Sequence, residues 1–209
     1  MKVSDDGTVS GTLEVEFTGQ QGAVEREDGR EKDDAGRRKA LTDEIQGWLP
    51  SGATFEITKL SEWKQITEPL RVEGELKAPG IASPAGRRLL MPATIFESGE
   101  TKAFQTARRV NVVYFHYPYQ EIDDLKFEGP PGYKIETLPT EQKPAESSLT
   151  YQMTATQEGS NVEVKRKLDV KAIVIPVESY PALRSFFTRV KNNDDAQIIF
   201  QSSESASNN

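Results

Sequence analysis

Residues 8–18, TVSGTLEVEFT, set Val9, Leu13, Val15 and Phe17 on one side and Thr12, Glu14, Glu16 and Thr18 on the other. That period of two is the mark of a strand with one buried and one wet face. The same alternation returns at 53–59, with Ala53, Phe55 and Ile57, and at 69–78, with Leu70, Val72, Leu76 and Ala78 around Gly74. Between the first and second of these strands lies a different period. Leu41, Ile45, Trp48 and Leu49 fall at i, i+4, i+7 and i+8, which predicts a helix over 34–49 laying one apolar stripe on the sheet, stopped by Pro50-Ser51-Gly52. The first half therefore reads as a β-α-β-β unit.

The helix is preceded by 25–39, where 12 of 15 side chains are charged, six of each sign, making a neutral polyampholyte rather than a binding tail. Asp28/Lys32, Asp33/Arg37 and Asp34/Arg38 stand four apart with the acid first, the orientation that supports a solvated helix, while Gly29 and Gly36 weaken it. After the third strand, Pro79-Gly80 and Ser83-Pro84-Ala85-Gly86 read as turns, and Leu89-Leu90-Met91 as a short buried run that fits a further strand. From Pro92 to Ala107 no period is visible, and this stretch, with Glu97-Ser98-Gly99-Glu100 at its centre, is the expected connection between two units.

Beyond it the strands come at short intervals, which points to an antiparallel, sandwich-like unit. Val110–Tyr117, Ile122–Glu128 and Tyr133–Leu138 are expected strands. Leu149, Tyr151, Met153 and Ala155 on one arm and Val162, Val164, Leu168 and Val170 on the other make a hairpin closed by residues 157–161, with Arg166 breaking the apolar face. A helix over 179–191 carries Tyr180, Leu183, Phe187 and Val190 on one seam, with Pro181 in its first turn and Asn192-Asn193 as its cap. A strand at 197–201 and a Ser/Asn tail at 202–209, too polar to fold, close the chain. The expected fold is mainly β with α+β character: an α+β unit over 1–105, then a β-sandwich-like unit over 106–201 carrying one C-terminal helix.

Composition narrows the chemistry. The 209 residues hold no Cys and one His, so a cysteine nucleophile, a cysteine zinc site and a histidine metal cluster cannot be built from this chain. A net charge of −7 argues against a nucleic-acid binder, and no apolar run approaches the length of a membrane helix. Phosphate-binding loops of the GxxxxGK[ST] or GxGxxG type are absent. No cofactor is expected. The N-terminus has no basic and apolar leader; a start on the turn Ser4-Asp5-Asp6-Gly7 reads as a piece of a longer polypeptide.

Among individual residues, His116 reads as an ordinary strand residue rather than a general base, since no nucleophile or metal partner accompanies it. Asp123 and Asp124, with Glu121, suggest paired carboxylates, but neighbours on a strand face opposite ways and a solvated acidic turn is the better reading. Glu14, Glu16, Glu73 and Glu75 at i, i+2 spacing read as the wet faces of strands rather than a cation site. Arg166 and Arg184 carry charge into apolar surroundings and read as structural anchors. Tyr114, Tyr117 and Tyr119 around Pro118 form an aromatic cluster that is core if buried, and a docking or ligand patch if exposed.

The strings VVYFHYPYQEIDDLKFEGPPGYKIETLP (112–139) and KRKLDVKAIVIPVESYPALRSFFTRVKNNDDAQIIFQ (165–201) resemble the C-terminal region of multidomain bacterial proteins built around a transglutaminase-like core. The likeness extends to SDDGTVSGTLEVEFTG (4–19), AGRRKALTDEIQGWLP (35–50) and AGRRLLMPATIFESGE (85–100), which resemble the segments that follow that core; its specificity lies in YPYQEIDD, PPGYKIETLP and YPALRSFF occurring in this order. In such proteins a papain-related Cys-His-Asp core follows an N-terminal β-rich domain and precedes a last domain of unknown function. The resemblance implies that the catalytic residues lie upstream and that this chain is an accessory region, packing on or extending the core's substrate groove, in an exported, periplasmic or extracellular parent. A ligand-binding module using Tyr114–Tyr119 as a platform for saccharide or peptide is the alternative, and a carboxylate hydrolase comes third.

Overall fold

The computed structural model describes residues 1–96, 103–143 and 148–203. The chain enters on β1 (Lys2–Val3), turns at Gly7 and returns as β2 (Val9–Phe17). Two helices follow, α1 (Gly19–Asp28) and α2 (Asp34–Trp48). Then come β3 (Thr54–Leu60), β4 (Leu70–Ala78), β5 (Ser83–Ala85) and β6 (Arg88–Pro92). Beyond residue 103 the order is β7 (Val113–Tyr114), β8 (Tyr119–Glu128), β9 (Tyr133–Thr137), β10 (Leu149–Glu158) and β11 (Asn161–Val170). The chain ends on β12 (Val174–Ile175), a helical turn at Val177–Ser179, α3 (Tyr180–Asp194) and β13 (Gln197–Ser202).

The alternation in the sequence becomes two sheets. The large one runs β10-β11-β8-β1-β2-β4-β3, and the smaller one β5-β6-β13-β9. Neighbours are antiparallel except β1 and β8, which run parallel with Lys2 opposite Glu128. The Met1 ammonium donates to the Lys126 carbonyl at 2.8 Å, seating β1 between β2 and β8. Both sheets draw strands from either side of residue 105. They share one hydrophobic cluster, in which Leu125, Phe127, Val162 and Val164 of the large sheet meet Leu89, Met91, Ile198 and Phe200 of the small one, the expected sandwich-like arrangement. Leu41 and Ile45 of α2 bury the stripe the sequence predicted, joining Leu70, Val72 and Leu76. Each fully buried side chain of this size contributes about 1.5–3 kcal/mol.

Several elements depart from the sequence reading. The charged stretch 25–39 is the end of α1, a turn and the start of α2, and α1 itself begins earlier, at Gly19. Asp34 and Arg38 pair at 3.2 Å as their spacing predicts. Asp33 instead caps α2 by accepting from Gly36 N–H at 2.8 Å, and Arg37 stacks on the Trp63 ring at 5.0 Å and donates to the Gly29 carbonyl. Residues 83–85 are a strand rather than a turn, because β6 offers them an open edge. At the expected connection, Ala93, Thr94 and Ile95 are buried, with Ala93 N–H bonded to the Ala196 carbonyl; residues 97–100 lie outside the described residues. The strand expected at Val110–Tyr117 shrinks to Val113–Tyr114. The last helix runs past Asn192-Asn193 to Asp194, whose side chain is drawn inward by a buried cation described below. In the hairpin, β10 and β11 close through Gly159-Ser160 alone, with Gly159 at φ +63°, where a side chain would be strained. Of the polar tail, residues 204–209 lie outside the described residues.

Candidate interaction site

β7 and β12 pair antiparallel into a ribbon set apart from both sheets, with Tyr114 opposite Val174 and Val113 opposite Ile175. Alternation gives the ribbon two faces. Val113 and Ile175 turn inward onto Tyr180 and Leu183 of α3, forming a second, smaller core. Val112, Tyr114 and Val174 turn outward and are 52%, 60% and 51% exposed. The loop leading into β7 is anchored from below: the Tyr180 hydroxyl donates to the Thr106 carbonyl at 2.8 Å. Phe104 holds a left-handed φ of +56°, a strained value for a side chain of this size. It is retained by ring contacts with Phe115, Tyr180 and Phe187, the last at 5.0 Å.

The three tyrosines of the predicted cluster therefore part company. Only Tyr114 is exposed, with His116, in a bend rather than a strand, standing edge-on to its ring at 5.7 Å. Tyr117 is half-buried and donates to the Gln21 side-chain oxygen at 2.6 Å. Tyr119 is half-buried in β8 and packs against Phe115 at 6.2 Å. Gln21 in turn donates to Glu25 at 2.6 Å. Burial pushes the Glu25 carboxyl above the usual carboxylate range against the pull of that hydrogen bond, and the nearby charges of Glu44 and Asp28 push the same way.

A second constellation is fully inside. Arg166, at the break in the apolar face of β11, is buried, and its guanidinium makes a two-point contact with Asp194 of α3, Nε to Oδ1 at 2.8 Å and Nη2 to Oδ2 at 3.1 Å. Its remaining nitrogen, Nη1, reaches Glu121 at 3.1 Å and Asp123 at 3.2 Å. Tyr151 donates to Asp194 at 2.7 Å, and Thr94 donates to the Asp194 carbonyl at 3.1 Å. The expected solvated turn at 121–124 is thus a strand whose alternate residues take different faces: Asp123 faces Arg166, and Asp124 faces out to Lys165 at 3.6 Å. Through Arg166 these carboxylates hold the C-terminal end of α3 to β8 and β11. Arg184, the other predicted anchor, is exposed on the outer side of α3. The partners Asp194 and Tyr151 went unread, although Asp194 lies four residues past Val190 on the apolar seam of the helix.

The wet-face glutamates are engaged along the large sheet. Glu16 pairs with Arg71, Glu73 with Lys59 at 2.7 Å, and Glu75 accepts from Thr12 at 3.4 Å. No group of three or more metal-ligating side chains occurs among the described residues. A trough of about 1470 Å³ crosses the same face, and its exposed lining is charged and hydroxylic, with Lys2–Glu128 and Lys126–Glu163 paired within it. Among the described residues no helix is long and apolar enough to cross a membrane.

Fold and site together define a sheet-dominated α+β module whose buried ionic groups serve its architecture and whose outward apolar face is a two-stranded ribbon. Residues 87–200, more than half of the chain, match the family described as "Domain of Unknown Function with solved-structure structure" (DUF3858), and the chain belongs to that family. The chain is also similar to a solved structure, that of a "putative protease" from Parabacteroides distasonis ATCC 8503, at 19% identity over 58% of this chain and 24% of that one, with a TM-score of 0.46. The chain thus spans about a quarter of that protein's length. No curated protein matches.

Proposed function

We propose that this chain is a non-catalytic accessory region of an exported, transglutaminase-like bacterial protein, and that it packs on the papain-related core preceding it through the outer face of the β7–β12 ribbon. The observation that carries this reading is the concentration of exposed apolar side chains, Val112, Tyr114 and Val174, on one face of an element whose other face is core. Exposed apolar surface of this kind is characteristic of interaction sites. The family resemblance supplies the partner, and the lack of Cys in the chain supports a role without a thiolate of its own. A saccharide platform is less well supported, because Tyr117 and Tyr119 are turned to Gln21 and Phe115 and leave Tyr114 without a coplanar companion.

The test is association between this chain and the parent's core produced as a separate chain, followed by calorimetry. Tyr114→Ser is expected to weaken binding by about tenfold or more, as loss of a central aromatic anchor does, while Arg184→Ala on the exposed side of α3 leaves it unchanged. Equal affinity for Tyr114→Ser and the parent sequence overturns the docking reading. The chain alone should show no peptidase or transglutaminase turnover; turnover that survives repurification and vanishes in His116→Ala overturns the non-catalytic assignment.

A further inference from the structure

We propose that docking at this site proceeds by strand addition: an extended, carboxylate-bearing partner segment pairs with the free edge of β7 along residues 110–114. The inference rests on the docking reading and specifies its mode. Three observations carry it. The segment Val110-Asn111-Val112-Val113-Tyr114-Phe115 is built of strand-forming residues, yet only Val113 and Tyr114 are paired, and Val110 is left 92% exposed. Val110, Asn111, Val112 and Tyr114 are exposed and Val113 is buried, so the strand-forming segment runs on into solvent ahead of the paired part.

The hydrogen-bond parity of the ribbon gives the second observation. Phe115 N–H donates to the Ile173 carbonyl at 2.8 Å, and Tyr114 stands opposite Val174. In an antiparallel pair this places the backbone groups of Val113 and Phe115 toward β12 and those of Val112 and Tyr114 toward the opposite, open edge. Among the described residues β7 has β12 alone as a strand neighbour, and no backbone hydrogen bond outside regular helices and strands involves Val112 or Tyr114. An edge with outward donors and acceptors, flanked by apolar side chains, is a template for another strand.

Charge selects the kind of strand. The chain carries 33 Asp and Glu against 26 Lys and Arg, yet residues 103–120 contain Arg108, Arg109 and His116 and no carboxylate, and residues 170–177 contain Lys171 and no carboxylate. The segments that lead into the ribbon carry Arg108, Arg109 and Lys171, and a partner strand with Asp or Glu at its ends complements them. A second copy of this chain would set its own Arg108 and Arg109 against these cations, which disfavours self-pairing.

The probe is a synthetic peptide of about ten residues, alternating Val and Thr with Glu at both ends, titrated into the labelled full chain while amide exchange is followed by NMR. At saturation the amides of Val112 and Tyr114 should slow by about tenfold or more, while those of Val113 and Phe115, already directed at β12, change little. Replacing Glu by Lys in the peptide should weaken binding by about tenfold at low salt. Absence of binding, or binding that leaves Val112 and Tyr114 exchanging as before, overturns strand addition; so does protection that rises with protein concentration without peptide, which would mark self-pairing. With the separate core as partner, loss of docking in both Tyr114→Ser and Val112→Pro supports the inference. Loss in Tyr114→Ser alone overturns strand addition and keeps the docking reading, and loss in neither overturns both.

Discussion

At the scale of single residues the decisive group is Arg166, because a buried charge is tolerated only when its partners are in place. Arg166→Met strands the carboxylates of Asp194 and Asp123 in the interior and should cost about 3–5 kcal/mol in urea unfolding. Asp194→Asn leaves Arg166 with Asp123 and Glu121 and should cost clearly less; the reverse order would contradict the assignment of the arginine as hub. Glu25 gives a pH-dependent counterpart. Burial raises its carboxyl, so the ionised form is the disfavoured one in the fold, and its contribution to stability is greatest at low pH and lost as pH rises through the raised value. Glu25→Gln should therefore melt higher than the parent sequence at about pH 7, with the gap closing toward about pH 4 where the glutamate is protonated. Arg166 was legible in the sequence as the one cation in an apolar alternation. Its carboxylate partners were not, because they arrive from β8 and α3, elements whose registers only the folded sheet defines.

Among elements, α3 joins the two cores: Tyr180 and Leu183 lie under the ribbon and Val190 in the main cluster. Phe187 is half-buried against Phe104 and Phe115, so Phe187→Ala should cost about 2–3 kcal/mol, below the range for a fully buried phenylalanine. Tyr180→Phe removes the hydroxyl that reaches the Thr106 carbonyl and side chain and the Phe104 carbonyl, and should cost about 1 kcal/mol, with faster amide exchange confined to 103–112. Thr188→Ala should change the unfolding midpoint little, since the hydroxyl merely returns to the Arg184 carbonyl. Elements with a complete local pattern, such as β2, β4, the β10–β11 hairpin and α2, could be read from periodicity. β1, two residues long and defined by partners in β2 and the distant β8, could not, and β7 lies within the expected strand at 110–117 but is shorter, because among the described residues no second strand lies beside its strand-forming flank.

For the whole molecule, strand order matters more than the change of composition near residue 105. Arg108 and Arg109 lie in an exposed loop, and limited trypsin digestion should cut there first. Because both sheets take strands from each side of that loop, the two pieces should migrate together on a native gel and separate only in denaturant; spontaneous separation would show two independent units. The seat of β1 has a kinetic consequence. β2, β3, β4 and α2 are neighbours in sequence and can assemble early, but Lys2 must find Glu128 across most of the chain before the large sheet becomes continuous. Loop closure on that span brings little reward until β8 is already in place against β11. Refolding should accordingly show a late phase, on the order of milliseconds to seconds as for other folds rich in distant strand pairs, in which β1 is among the last strands to be secured.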